Sequence, residues 1–212
     1  MKSYDYYLFD ADGTLFETTE LIYQCFVYSL GKYANLQIPR DEIIATIGLT
    51  LRKQFEHHIG PLTDEQFNTM QIDHMNYQMG IYKNHLSPCP GVPDAIKELH
   101  AAEKKLAIVT SRKITSLSCF LRDTEIYDYF NVIITPDETE NHKPHPEPAL
   151  KALDLLSAPP EKALLIGDAK FDIECGHSAG IDTALVSWSH NKAEDMTVKP
   201  TFIIDSMLDL CG

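Results

Sequence analysis

Basic charge is scarce in this chain: 18 lysines and arginines stand against 31 aspartates and glutamates in 212 residues, a formal net charge of -13. That balance repels phosphate backbones and anionic lipid, and no run of clustered Lys and Arg overrides it, so neither nucleic acid nor a membrane surface is expected as a partner. Long apolar runs are missing too. None reaches the ~18 consecutive apolar residues of a membrane span, and the protein is not expected to be integral to a membrane. In the opening stretch, MKSYDYYLFDADGTLF, acids interrupt the apolar part and no small-residue cleavage site follows. A secretory signal is therefore not expected, and the cytoplasm is the expected compartment. The five cysteines (Cys25, Cys89, Cys119, Cys175, Cys211) include no CxxC pair. Reduced, mostly buried thiols fit them better than a disulfide framework or a zinc site.

The chain is instead rich in short aliphatic runs. Tyr6-Tyr7-Leu8-Phe9 ends abruptly in Asp10, and similar runs recur at Leu106–Val109, Val132–Ile134, Ala163–Ile166 and Thr183–Val186, each followed by polar or small residues. Runs of this kind read as parallel strands buried on both faces. Helical periodicity lies between them, over Pro93–Ala102, Ile114–Leu121 and Pro146–Leu156. Strands alternating with helices predict an α/β fold, a Rossmann-like doubly wound parallel sheet whose ligands bind beyond the carboxyl ends of the strands. Residues 16–85 break the alternation, with helical spacing at Leu21, Cys25 and Tyr28 and no convincing strand. They predict an inserted α-helical cap domain, leaving 1–15 and 86–212 as the core domain, with Pro88, Pro90 and Gly91 marking the return.

Polar residues gather where the strands end. Asp10 and Asp12 lie two residues apart in extended chain and face one way, and Gly13 follows where a residue without Cβ turns the chain freely. Asp168 ends another strand and Asp172 comes four residues later. Acids from two strands meeting at one edge repel unless a cation sits between them, and hard oxygen ligands favour Mg²⁺. Lys143 lies in Asn141-His142-Lys143-Pro144-His145-Pro146, a loop that two prolines stiffen, so its charge is placed. Thr110 and Ser111 end their strand with hydroxyl and N–H groups suited to phosphate oxygens. His57-His58 and His142 with His145 lack a third ligand at metal spacing.

Asp10-Ala11-Asp12-Gly13-Thr14, Thr110, Lys143-Pro144 and Gly167-Asp168 with Asp172 resemble, in order, the four motifs of the haloacid dehalogenase-like hydrolases. The helical insertion resembles the small cap of the phosphoglycolate phosphatase and β-phosphoglucomutase branch. The resemblance implies that Asp10 is the nucleophile and Asp12 the acid/base. It implies metal ligation by the Asp10 and Asp168 side chains and the Asp12 carbonyl, with Asp172 farther out, and phosphate binding by Thr110, the Ser111 N–H and Lys143. Arg52 falls where this branch carries the cap segment that faces the site, and there a guanidinium could bind a second anion of the substrate. Two departures stand out: Ala11 is smaller than the apolar residue usual there, and Arg112 brings an extra charge near the substrate.

The expected activity is that of a Mg²⁺-dependent phosphatase of a small phosphorylated metabolite, working through an aspartyl phosphate, with phosphoglycolate phosphatase as the named relative. The alternatives are an inorganic pyrophosphatase, a nucleotide or sugar-phosphate phosphatase, β-phosphoglucomutase-like phosphoryl transfer, and a catalytically silent phosphate-binding regulatory protein. Oligomeric state is not readable from these residues.

Overall fold

The computed structural model describes residues 2–212. Strand β1 (Tyr6–Phe9) leads to the two-residue strand β2 (Phe16–Glu17) and then to four helices: α1 (Thr19–Ala34), α2 (Arg40–Ile44), α3 (Leu51–Ile59) and α4 (Asp64–Ile81). Strand β3 (Ser87–Pro88) returns antiparallel to β2. There follow α5 (Val92–Ala101), β4 (Lys105–Val109), α6 (Ile114–Asp123), β5 (Val132–Ile134), α7 (Glu147–Leu156), β6 (Ala163–Gly167), α8 (Lys170–Ser178), β7 (Asp182–Val186) and β8 (Phe202–Ile204).

The strands other than β2 and β3 form one parallel sheet in the order β5-β4-β1-β6-β7-β8. Because side chains alternate along a strand, each apolar run supplies two cores. Tyr7, Phe9, Leu106, Ile108, Leu164 and Ile166 face α5 and α6, whereas Leu8, Ala107, Val109 and Leu165 face α7 and α8. Helices on both faces make this a doubly wound α/β fold. Each fully buried Leu or Phe here stabilises the fold by roughly 1.5–3 kcal/mol, so Leu8→Ala should cost about 2–5 kcal/mol with its cavity.

The chain starts from β1 in the middle, builds outward through β4 and β5, then crosses to β6 on the other side. The carboxyl ends of β4, β1 and β6 therefore meet at the switch point, where the sheet opens a crevice. Helices α1–α4 stand over that crevice with an apolar centre of their own, built from Ile22, Phe26, Leu30, Ile43, Phe55 and Met70. Helix α4 begins with a full capping box, Thr63 Oγ1 accepting from the Gln66 N–H and Gln66 Oε1 from the Thr63 N–H.

Two elements differ from the sequence reading. Phe16–Glu17 is a strand inside the segment read as free of strands, and β8 adds a sixth strand to the sheet. A two-residue pairing has no periodicity to betray it. The three residues of β8 follow Pro200 at an edge, where burial is incomplete and the apolar run is short.

Candidate active site

Asp10 is the residue after β1, and its N–H continues the ladder by donating to the Ile166 carbonyl at 2.9 Å. Thr110 occupies the same place after β4, donating to Ile134 O at 3.0 Å, and Asp168 follows β6. Parallel register alone thus sets three polar residues side by side. Gly13 turns the chain with φ +76°, and a Cβ there would sit 2.3 Å from Asp168 Oδ2. The Asp10–Gly13 segment can lie against Asp168 because that position is glycine.

Lys143 enters this cluster from the loop before α7. Its Nζ donates to Asp10 Oδ1 at 2.6 Å, Asp172 Oδ1 at 2.5 Å and the Val109 carbonyl at 3.0 Å, with the ammonium almost fully buried. Asp172, in the first turn of α8, accepts with its other oxygen from the Ala169 N–H at 3.0 Å. Burial pulls the Lys143 ammonium down, but Asp10 and Asp172 outweigh it and hold the group above its ordinary range.

Asp10 and Asp168 shift the other way. Burial pushes the Asp10 carboxyl up to about 7, against the pull of Lys143 and with help from Asp172 and Asp12. Burial, then Asp10 and Asp172, push Asp168 up as well. Asp168 Oδ1 is buried without a hydrogen-bond partner. Oxygens of Asp10, Asp168 and Asp172 lie within 4.8 Å of one another, the group among the described residues placed to share a cation. Four carboxylates with Lys143 and Arg112 leave two negative charges unmatched at full ionisation. That surplus, with an orphaned hard oxygen, fits a divalent oxygen-seeking ion.

Asp12 faces a different cation. Arg112 Nε lies 3.0 and 2.8 Å from its two carboxylate oxygens and Nη2 lies 2.6 Å from Oδ1. The Thr18 hydroxyl also donates to Oδ1, at 2.6 Å. Arg112 Nη1 reaches Gln78 Oε1 on α4 at 2.8 Å and Ser116 Oγ on α6 at 3.2 Å, and the guanidinium lies over the Phe120 ring, 4.5 Å from its centre. The sequence marked Arg112 only as a departure and did not mark Gln78 at all. The available signal was the spacing Met70, His74, Gln78, a helical stripe whose polar members turn inward.

Asp10, Asp12, Thr110, Ser111 and Arg112 line one cavity of about 60 Å³, closed from above by Gly48, Leu49, Gln54, His74 and Gln78. The Ser111 hydroxyl donates to the Gly48 carbonyl at 2.7 Å. A Cβ on Gly48 would meet Phe171 at 2.9 Å, so this close seating of the helical segment on the core depends on glycine. Burial pushes the His74 imidazole down to about 3, the Arg112 cation acting in the same direction, and its Nδ1 lies 3.0 Å from Ser29 Oγ.

Arg52, read from the sequence as a substrate ligand, is not brought to this cavity. Its Nε bonds Glu56 at 3.0 Å, Nη1 bonds Asp64 at 2.7 Å and Nη2 bonds the Leu62 carbonyl at 2.7 Å. Glu56 lies one turn along the same helix and Asp64 opens the next, so local partners capture the guanidinium. It lines a neighbouring cleft of about 800 Å³ with Lys53, His142 and His145, and this cleft shares Leu51, Ser111 and Lys113 with the smaller cavity. The five cysteines are free, and burial pushes Cys25 and Cys89 up to about 12, away from reactivity. Among the described residues no helix is long and apolar enough to cross a membrane.

The sequence profile of the haloacid dehalogenase-like hydrolases matches residues 7–186. The chain is 35% identical over 204 residues to pyrophosphatase PpaX of Bacillus cereus (strain B4264), covering 96% of this chain and 93% of that protein. Its fold is similar to a haloacid dehalogenase-like hydrolase from Bacteroides fragilis, with TM-score 0.89 and 28% identity over 98% of this chain and 100% of that one. It is also similar to a Lactobacillus plantarum structure assigned as a phosphoglycolate phosphatase, with TM-score 0.85 and 23% identity over 99% and 98% of the two chains. The ordered motifs, the profile and these relatives agree, and the chain belongs to the haloacid dehalogenase-like hydrolase family as a phosphatase.

Proposed function

We propose that this phosphatase hydrolyses small phosphate compounds through an aspartyl phosphate on Asp10, with inorganic pyrophosphate as the preferred substrate. The observation that carries this reading is that Asp10 and Asp12 line the same small cavity of about 60 Å³. A cavity of that size admits a few waters or one phosphoryl group and little more. A leaving group that must sit beside it under α1–α4 has to be small, which favours a second phosphate over a sugar. The relatives named as pyrophosphatases support the same choice.

The Asp10 carboxylate attacks phosphorus as the bond to the leaving oxygen breaks, and Asp12 gives its proton to that oxygen. Asp12 then takes a proton from the water that attacks the phosphorus of the aspartyl phosphate, releasing phosphate and restoring Asp10. Thr110, the Ser111 N–H and Lys143 hold the transferred phosphoryl group, and Lys143 also offsets repulsion between it and Asp10. Mg²⁺ would be held by Asp10, Asp168 and the Asp12 carbonyl, with Asp172 orienting Lys143, and would supply charge neutralisation at the phosphoryl oxygens. Residues 16–85 serve as a cap, hinged at the β2–β3 ribbon, that opens for substrate and closes to exclude water.

The test is a comparison of kcat/KM for pyrophosphate, phosphoglycolate, glucose 6-phosphate and p-nitrophenyl phosphate, with Mg²⁺ and with chelator. Pyrophosphate should rank first and chelator should abolish turnover. A sugar phosphate ranked first, or activity that survives chelation, would overturn the reading.

A further inference from the structure

We infer that Arg112 sets a preference for phosphate compounds whose leaving group is itself an anion, by sharing its guanidinium between Asp12 and that leaving group. The inference rests on the reading of Asp10 and Asp12 given above and names the residue that selects among substrates of that site.

The guanidinium is fixed from three directions: by both oxygens of Asp12, by Gln78 and Ser116 at Nη1, and by the Phe120 ring beneath it. A planar fork held this way loses little freedom when a ligand arrives. Nη2 carries two N–H groups and bonds one protein oxygen among the described residues, Asp12 Oδ1. Arg112 is buried, and it lines the cavity that Asp10 and Asp12 share. The other basic residue lining that cavity, Lys113, bonds Asp137 outside it. Lys143 bonds Asp10, Asp172 and Val109 O on the Asp10 side and is not among the residues that line the cavity. On the Asp12 side, Arg112 is therefore the placed positive charge.

The leaving group departs toward Asp12. As the P–O bond breaks, its electron pair stays with the leaving oxygen and the Asp12 proton moves onto that oxygen, which leaves Asp12 an anion. A leaving phosphate, or a leaving alcohol that carries a carboxylate, then faces a newly formed carboxylate among buried side chains, and the two repel. A guanidinium bonded to one and within reach of the other offsets both charges and transfers nothing itself. A neutral alcohol presents no second charge, so it gains only from the orientation of Asp12.

The experiment measures the ratio of kcat/KM for pyrophosphate to that for 2-hydroxyethyl phosphate, in Mg²⁺, for the wild type, Arg112→Gln and Arg112→Lys. Both substrates are measured on one preparation, so a partly folded variant leaves the ratio unchanged. Arg112→Gln should lower the ratio by roughly ten-fold or more, the order of a lost charge-assisted hydrogen bond, and Arg112→Lys, which keeps the charge without the planar fork, should recover part of it. Equal losses on both substrates would reduce Arg112 to a support for Asp12 and overturn the inference, as would an unchanged ratio. If a variant turns over neither substrate, thermal stabilisation by methylenediphosphonate and by methylphosphonate gives the same comparison. Selective loss of the diphosphonate effect supports the inference, and parallel behaviour of the two ligands overturns it. A wild type that hydrolyses neither substrate would overturn the phosphatase reading of the site, and this inference with it.

Discussion

The site holds two cation–carboxylate clusters, and they are built from different parts of the molecule. Lys143 takes its partners from the sheet edge and α8: Asp10 after β1, Val109 in β4 and Asp172. Arg112 binds Asp12 and Ser116 of the core but also Gln78 of α4. Displacing α1–α4 would leave the first cluster whole and take Gln78 from the second. The difference teaches that the surroundings of Asp10, the proposed nucleophile, belong to the sheet edge and α8, whereas those of Asp12, the proposed acid/base, are completed by the helical layer.

Asp10→Asn strikes the permanent cluster at its proposed nucleophile. Turnover should fall on the order of 10⁴-fold or more with an unchanged circular dichroism spectrum, because the amide keeps the shape and loses the nucleophile. Near-normal activity in a purified, metal-replete variant would remove Asp10 from the mechanism.

Lys143→Met tests whether the cluster is also a support for the fold. Two buried acids, Asp10 and Asp172, would lose their cation, and breaking a buried pair typically costs roughly 3–5 kcal/mol. Urea unfolding without metal should show that loss, and Mg²⁺ should restore part of it. A variant as stable as the wild type would mean that the acids are not ionised around Lys143.

Metal and pH sharpen the same point. Burial raises the Asp10 carboxyl to about 7 in the folded protein, so the folded state holds a proton that the unfolded chain has released between about pH 4 and pH 7. Stability of the metal-free protein should therefore decline as pH rises through that window. Mg²⁺ needs the anion and must displace the proton at pH 6 but not at pH 8. The rise in Tm on adding Mg²⁺ should be larger at pH 8, and a rise independent of pH would place the ion elsewhere.

Gln78→Ala, the mildest change, addresses the shared cluster. It removes the helical layer's bond to Arg112 while Ser116 remains, so stability should drop by about 1 kcal/mol and kcat/KM by roughly five-fold. The effect of Mg²⁺ on Tm should stay as in the wild type. If that effect falls as well, the two clusters are not separable.

The permanent cluster was also the legible one. Asp10, Thr110 and Asp168 each follow an aliphatic run, and parallel register does the rest, so strand ends in the sequence become neighbours in space. Lys143 could be placed at the same edge from its proline-flanked loop. The shared cluster depends on Gln78 meeting Arg112 across 34 positions of chain, a docking of helix on core that no local pattern encodes. Arg52 shows the converse. Its position relative to the motifs pointed inward, yet Glu56 and Asp64 stood close enough in sequence to take its charge, and local electrostatics prevailed.

Trp188 is the only tryptophan in the chain, and its indole N–H donates to the Gly13 carbonyl at 2.9 Å, while the next hydroxyl, Ser189, donates to the Asp168 carbonyl. The fluorophore is thereby wired to the turn between Asp12 and the carboxylate with the orphaned oxygen. Its emission is a single-site optical signal whose wavelength and intensity should respond when an ion or a phosphate settles on that turn, in the native protein, with no label and no second chromophore of its kind to subtract.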